Sequence, residues 1–417
     1  MHLLHKRGDI GVKDFTVINC SLVVVSPWEV KSRVKVHVKD GVIDDVGDYQ
    51  SGDVLDCEGG VLMSGLVNSH THTPMSLLRG YKDDLDLHDW LRAMWEKEDD
   101  MSKEVMNVGS EISMIEMISS GTTSFVDMYF NPEGVRDLSE KYKVRAFAGE
   151  TFMDTRESPE AVARRQRSLS SSRYFRPIVN VHSLYTASLE SVRKAYEISE
   201  EQGTWIHMHI SETREEVFQI KKRTGKFPIQ LLHDEGLIDR IQAVHVGWVT
   251  NQELKYLSNA THCPTSNMKL ATAGAFPFKE MYNAGANITL GTDGAASNNS
   301  LDMFREMKTA VLVQRHSYWD LWVKASHVLQ ASTLDGYKLI GVNGGEIRKG
   351  MVADMIILDP RRLRPLSEDR VLSNVVYNTT GDSVRKVLVD GNLIYDEEVK
   401  ERFMGRLDEL YSSIKSF

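Results

Sequence analysis

His70 and His72 close the apolar run VLMSGLVNSHTH two residues apart, and on an extended strand residues at that spacing project to one side. The pair offers two imidazole nitrogens to a single ion. A second pair, His207 and His209, ends WIHMHIS; His245 lies late in IQAVHVGW; Asp293 ends NITLGTD. His70, His72, His209 and Asp293 together make three nitrogens and one carboxylate, a donor set that suits catalytic zinc with one position left open for water. Glu212 follows His209 by three residues, close enough to take a proton from that water and pass it on without binding the ion. Zinc lowers the pKa of bound water from about 16 to about 7. The chemistry expected is hydrolysis at neutral pH.

The choice of His209 over His207 rests on Glu212 following it, and His207 is read as its buried partner on the same strand. His262, in HCPTSN, is read as lying behind the site or as structural. Of the 14 histidines, His2, His5, His37, His88, His233, His316 and His327 have no comparable placement and are read as structural or surface residues.

These residues need elements to carry them. VLMSGLVNSH, TSFVDMY, KVRAFAG, IVNVHSL, WIHMHIS, IQAVHVGW, ATHCP and NITLGTD read as eight short strands, separated by helical stretches such as KEVMNVGSEISMIEMISSG and SLESVRKAYEISEEQG, stopped by Gly121 and Gly203. Eight strand-then-helix units predict an α/β fold, a (β/α)8 TIM-like barrel over residues 61–344, whose active site gathers at the C-terminal ends of the strands. Residues 1–60 and 345–417 are strand-rich, with hairpin signals at Asp40-Gly41 and Asp390-Gly391. Neither end has enough strands to bury its own apolar faces, so the two are expected to form one small β-sandwich. The last segment, VKERFMGRLDELYSSIKSF, has helical spacing.

With 59 acidic and 50 basic residues among 417, the net charge is −9, which argues against a nucleic-acid polymer as partner. At 41% hydrophobic and 26% charged the chain is an ordinary folded one. Three scattered cysteines, Cys20, Cys57 and Cys263, make neither a disulfide framework nor a thiolate zinc cage. The first residues carry no apolar secretion signal, and no apolar run approaches the roughly 20 residues of a membrane span. A cytoplasmic protein with a small-molecule substrate and no membrane partner is expected; a homo-oligomer is left open.

GLVNSHTHTPMSLLRGYKDDLDLHDWL, HMHISET, HVGWVT, HCPTSNMKL, LGTDGAASNNS and ADMIILD together resemble the amidohydrolase superfamily, in the branch that holds methylthioadenosine/S-adenosylhomocysteine deaminases and triazine hydrolases. The resemblance spans nearly the whole chain. It implies that His70, His72, His209 and Asp293 hold one divalent metal, Zn2+ or else Fe2+, with Glu212 as proton shuttle. It implies further that His245 hydrogen-bonds the attacking water, that Asp293 also carries a proton to the leaving amine, and that His182 of VHSLY and Glu98 of WLRAMWEKED contact substrate, Glu98 at a ribose hydroxyl pair. Relatives with two metals carry a lysine on the fourth strand, whereas RPIVNVHSLYTAS has none, so one metal is expected. The H-x-E with P-C-x-x-C pattern of another zinc-deaminase class is absent.

The reaction implied is hydrolytic deamination of adenosine-type nucleosides: 5′-methylthioadenosine, 5′-deoxyadenosine, adenosine or S-adenosylhomocysteine. Glu150, in KVRAFAGETF, stands where relatives that take S-adenosylhomocysteine have arginines, and an acid there is expected to repel the substrate's carboxylate, with Arg156, Arg164 or Arg165 as substitutes. Deamination of guanine or cytosine, triazine hydrolysis, and a non-catalytic scaffold are the alternatives, since the fold alone does not choose the leaving group.

Overall fold

The computed structural model describes residues 14–272 and 274–414. His2 and His5 lie outside them. The described chain opens with seven short strands, β1 (Asp14–Ile18), β2 (Leu22–Ser26), β3 (Glu29–Lys31), β4 (Lys35–Lys39), β5 (Val42–Gly47), β6 (Asp53–Asp56) and β7 (Val61–Ser64). β5, β4, β1 and β6 form one sheet in that order. Asp40 and Gly41 turn β4 into β5 at φ +49° and +78°, the left-handed pair that a tight hairpin needs.

Ten further strands follow: β8 (Leu66–Thr71), β9 (Thr122–Met128), β10 (Arg145–Gly149), β11 (Thr151–Phe152), β12 (Phe175–Pro177), β13 (Val179–Val181), β14 (Ile206–Ile210), β15 (Ile241–His245), β16 (Asn259–His262) and β17 (Asn287–Leu290). All pair in parallel. Helices separate most of them, as the alternating pattern predicts, but only a 3-10 turn, Leu254–Tyr256, separates β15 from β16. Gly121, at φ +90°, stops the helix Lys103–Ser119.

Two expectations are corrected. VLMSGLVNSH is two strands rather than one: β7 leaves the barrel, and the chain bends at Gly65, where a Cβ would lie 2.3 Å from the Thr123 side chain. The barrel ladder is also not one closed ring. It runs as two arcs, β12-β10-β9-β8 and β11-β13-β14-β15-β16-β17. Pro177 has no N–H to give to the ladder where the arcs meet, and the backbones close in so far that a Cβ on Gly149 would lie 1.7 Å from the Ile178 carbonyl. On the other side Asn68 bridges the arcs with its side chain, accepting from Thr292 N at 3.0 Å and donating to Thr292 Oγ1 at 2.7 Å.

The chain then returns to its beginning. β18 (Met355–Leu358), β19 (Val384–Val389) and β20 (Asn392–Tyr395) extend a six-stranded sheet in the order β20-β19-β18-β7-β2-β3. Asp390 and Gly391 turn β19 into β20 at φ +52° and +70°. Phe15, Val17, Leu62, Met355, Ile357 and Leu388, drawn from both sheets, share one buried core. The helix Glu397–Ser413 closes the described chain, with Arg406 donating to both carboxylate oxygens of Glu111 at 2.9 Å.

Arg145, at the start of β10, ties the barrel to this sheet. It donates to Asp354 Oδ2 at 2.8 Å and Oδ1 at 3.0 Å, and also pairs with Asp390. Asp354 is buried. Arg145→Leu therefore takes the cation from a buried carboxylate, leaving it only the Tyr337 hydroxyl and the Asp390 N–H among its described partners, and is expected to destabilise the protein by about 3 kcal/mol. Denaturant midpoints read this directly; an unchanged midpoint would contradict it.

Candidate active site

The strand ends of the barrel bring the predicted residues together. His70 lies within β8, and His72 one residue past its end; His209 lies within β14 and Glu212 two residues past it; His245 is the last residue of β15; Asp293 follows β17 by three residues; His182 follows β13 directly. His70 Nε2 is 3.1 Å from His209 Nε2 and 3.2 Å from Asp293 Oδ1, and His72 Nε2 is 3.1 Å from the same Asp293 oxygen. Two overlapping triads result, His70 with His72 and His209, and His70 with His245 and Asp293. Glu212 Oε1 lies 3.7 Å from His245 Nε2.

The donor set fits a cation. Tetrahedral zinc with Zn–N of about 2.0–2.1 Å separates its ligand atoms by about 3.3 Å, close to the spacings here. Two imidazole nitrogens 3.1 Å apart, each tied away at its other side or buried, gain by sharing a cation between their lone pairs. His72 Nδ1 gives its proton to the Met128 carbonyl at 2.6 Å, which turns Nε2 toward Asp293.

Charge in the site follows the same plan. Burial works to raise Asp293, yet the two histidines beside it, His70 and His72, hold it well below the usual carboxylate range. Burial lowers His70 to about 4, while Asp293 overcomes burial and lifts His72 to about 9. Burial raises Glu212 against the pull of His245. Burial also lowers His182 to about 3, keeping it neutral, and raises Glu98 despite the Tyr129 hydroxyl and Arg156.

The backbone is strained where these side chains leave it. His245, Asp293 and Ser211, none of them glycine, sit at φ +73°, +63° and +53°, a conformation costing on the order of 1–3 kcal/mol each. Neighbouring bonds hold them there. Asp293 N donates to His70 O at 3.0 Å, and Ser266 Oγ donates to Asp293 Oδ2 at 2.6 Å. Glu216 accepts from Ser211 N and Glu212 N, both at 2.9 Å, and so fixes the peptide that presents Glu212. Asn267 Oδ1 accepts the His245 Nδ1 proton at 2.8 Å, leaving Nε2 toward Glu212.

All the predicted site residues except His70, which is fully buried beneath, line one cavity. Its walls are apolar, including Trp90, Met94, Trp95, Phe130 and Met153. Glu98 ends the helix Leu87–Glu98 and reaches the cavity, where it accepts from the Tyr129 hydroxyl at 2.8 Å and from Arg156 Nη2 at 3.4 Å. Sequence reasoning missed Glu216, Ser266, Asn267 and Tyr129. Of these only Glu216 carried a signal, the Thr213-x-x-Glu216 spacing of a helix cap.

The expectation for Glu150 is corrected. Its side chain is absent from the cavity lining and is paired with Arg165, Nη2 to Oε2 at 2.8 Å, so it sets no charge barrier to a substrate carboxylate. Arg156 lies beside the cavity through Glu98, and Arg165 is held by Glu150 and Glu157. His262 is buried behind the site, stacked on Phe276 at 4.3 Å.

The amidohydrolase family model matches residues 61–394. A 5-methylthioadenosine/S-adenosylhomocysteine deaminase of Archaeoglobus fulgidus is 35% identical over 381 residues, 88% of this chain and 90% of the relative. A 5′-deoxyadenosine deaminase of Methanosarcina mazei is 36% identical over 408 residues, 92% and 93% of the two chains. Among solved structures, an adenosine deaminase from Xanthomonas campestris with bound zinc superposes with a TM-score of 0.87 at 27% identity, covering 97% of this chain and 99% of the other.

Proposed function

The chain belongs to the amidohydrolase family, and from that premise we propose that it is a hydrolytic deaminase of adenosine-type nucleosides that works with one divalent metal, zinc or else iron. His70, His72, His209 and Asp293 would hold the ion. When bound, it supplies a water acidic enough to act as nucleophile near neutral pH. Glu212 takes a proton from the attacking water and delivers it to the ring nitrogen beside C6 of the adenine. His245, its Nδ1 proton committed to Asn267, orients the water and the developing tetrahedral centre through Nε2. Asp293, ionised, takes the remaining proton from the oxygen added at C6 and passes it to the departing amine; ammonia leaves and an inosine-type product remains.

Glu98 takes the ribose hydroxyl pair, and neutral His182 contacts the substrate. The apolar walls favour an uncharged 5′ substituent such as methylthio or a bare methyl. The observation that carries this reading is the approach of Glu212 and His245 to 3.7 Å on the cavity that His72, His209 and Asp293 also line. The expected division of the chain, 1–60 with 345–417 as a β-sandwich and 61–344 as the catalytic barrel, belongs to the same reading, with Val61–Ser64 given to the terminal sheet. So does a cytoplasmic setting, favoured by three free, buried cysteines; among the described residues no helix is long and apolar enough to cross a membrane.

Ammonia release by the zinc-loaded protein tests the function. 5′-Methylthioadenosine, 5′-deoxyadenosine, adenosine and S-adenosylhomocysteine would be compared with guanine, cytosine and a chlorotriazine. Turnover confined to the adenosines is expected. Silence on all four, with turnover of any of the others, would overturn the assignment.

A further inference from the structure

We infer that His207 is a positioning residue that fixes which nitrogen of His70 faces the metal, through a hydrogen-bond relay anchored at Trp205 and Gln242. The inference rests on the reading that His70 is a ligand. His207 is fully buried in β14, is absent from the cavity lining, and belongs to neither donor triad. It nevertheless makes the shortest polar contact to His70 among the described residues, Nε2 to Nδ1 at 2.6 Å.

The direction of the relay follows from its far end. Trp205 Nε1, which can only donate, meets Gln242 Oε1 at 3.0 Å. Gln242 Nε2 donates to the Ser69 carbonyl at 2.8 Å and to Thr261 Oγ1 at 2.7 Å. Turning the amide over would set NH2 against the indole N–H and a carbonyl against the Ser69 carbonyl, so the oxygen is fixed where it stands. His207 Nδ1, 2.7 Å from that oxygen, must therefore carry a proton. Among the described residues no carboxylate bonds to His207 to support a second one in the barrel interior. Its Nε2 is then a bare lone pair that accepts the Nδ1 proton of His70, and His70 presents a bare Nε2 to Asp293 and His209.

A metal-bound imidazole usually gives its second proton to a carbonyl or carboxylate, as His72 does to Met128. A neutral imidazole serves at His70 only because Gln242 decides its tautomer. The relay thus extends the metal site two residues into the barrel, to groups that touch neither ion nor substrate.

The test uses two near-isosteric variants and the parent. His207→Gln keeps an acceptor at the ε position; His207→Met keeps the volume and loses the acceptor. Zinc affinity of the ion-stripped proteins, measured by competition with a chromogenic chelator, is expected to fall about tenfold to a hundredfold in H207M and to return to within a fewfold of the parent in H207Q. Equal affinity in H207M and the parent would overturn the inference. Independently, 15N NMR of the ion-stripped parent should place the His207 proton on Nδ1, and a proton on Nε2 would overturn it even if neither variant folds. A parent that binds no zinc while His207 shows the Nδ1 proton would defeat the metal reading and leave the relay standing.

Discussion

Glu212→Gln is expected to retain the metal and lose about two to four orders of magnitude in kcat. The amide matches the carboxylate in size and keeps an oxygen toward His245, so the fold and donor set should persist. It cannot take the proton from water or carry it to the ring. Burial raises Glu212 above its ordinary value in the metal-free protein, so its ionisation there is postponed to higher pH, and the charge of the bound ion works against that rise. Metal content by emission spectroscopy and turnover on 5′-methylthioadenosine would be read on one preparation. Near-parental turnover with full metal would remove Glu212 from the mechanism.

His72→Ala should abolish activity by a different route, through loss of the ion. The substitution deletes one of three nitrogen donors and leaves Asp293 with one imidazole partner fewer. In the parent His72 is held near 9, so an entering ion must displace its proton. Uptake by stripped protein should accordingly release protons and strengthen as pH rises toward 9. Full zinc occupancy in H72A would exclude His72 from the ligand set.

Much of the site was legible because each donor follows a run of β-forming residues, and a parallel barrel collects strand ends on one face. The two Asp-Gly turns were legible for a similar reason, since few other pairs accept two left-handed residues. What escaped were decisions taken by contact rather than by spacing. VLMSGLVNSH reads as strand on both sides of its glycine, and only the Thr123 side chain against Gly65 shows that it must bend there. Glu150 follows a glycine at a strand end, so its alternation could not say which way its carboxylate turns; the helix carrying Arg165 and Gln166 takes both its side chain and its N–H. Tyr129 and Arg156 meet Glu98 from 31 and 58 residues away, beyond any local pattern.

The return of the chain to its first sheet sets a timetable for synthesis. β7 pairs Ser64 with Met355, so 355 − 64 = 291 residues must be made before that edge finds its partner. At roughly 5–20 residues per second a ribosome needs about 15–60 s for them. Throughout that interval one side of β7, a strand buried along its whole length in the finished protein, is an open apolar template. The barrel segments emerge during the wait, so all of them are available before the sheet on which the first barrel strand is hung can close.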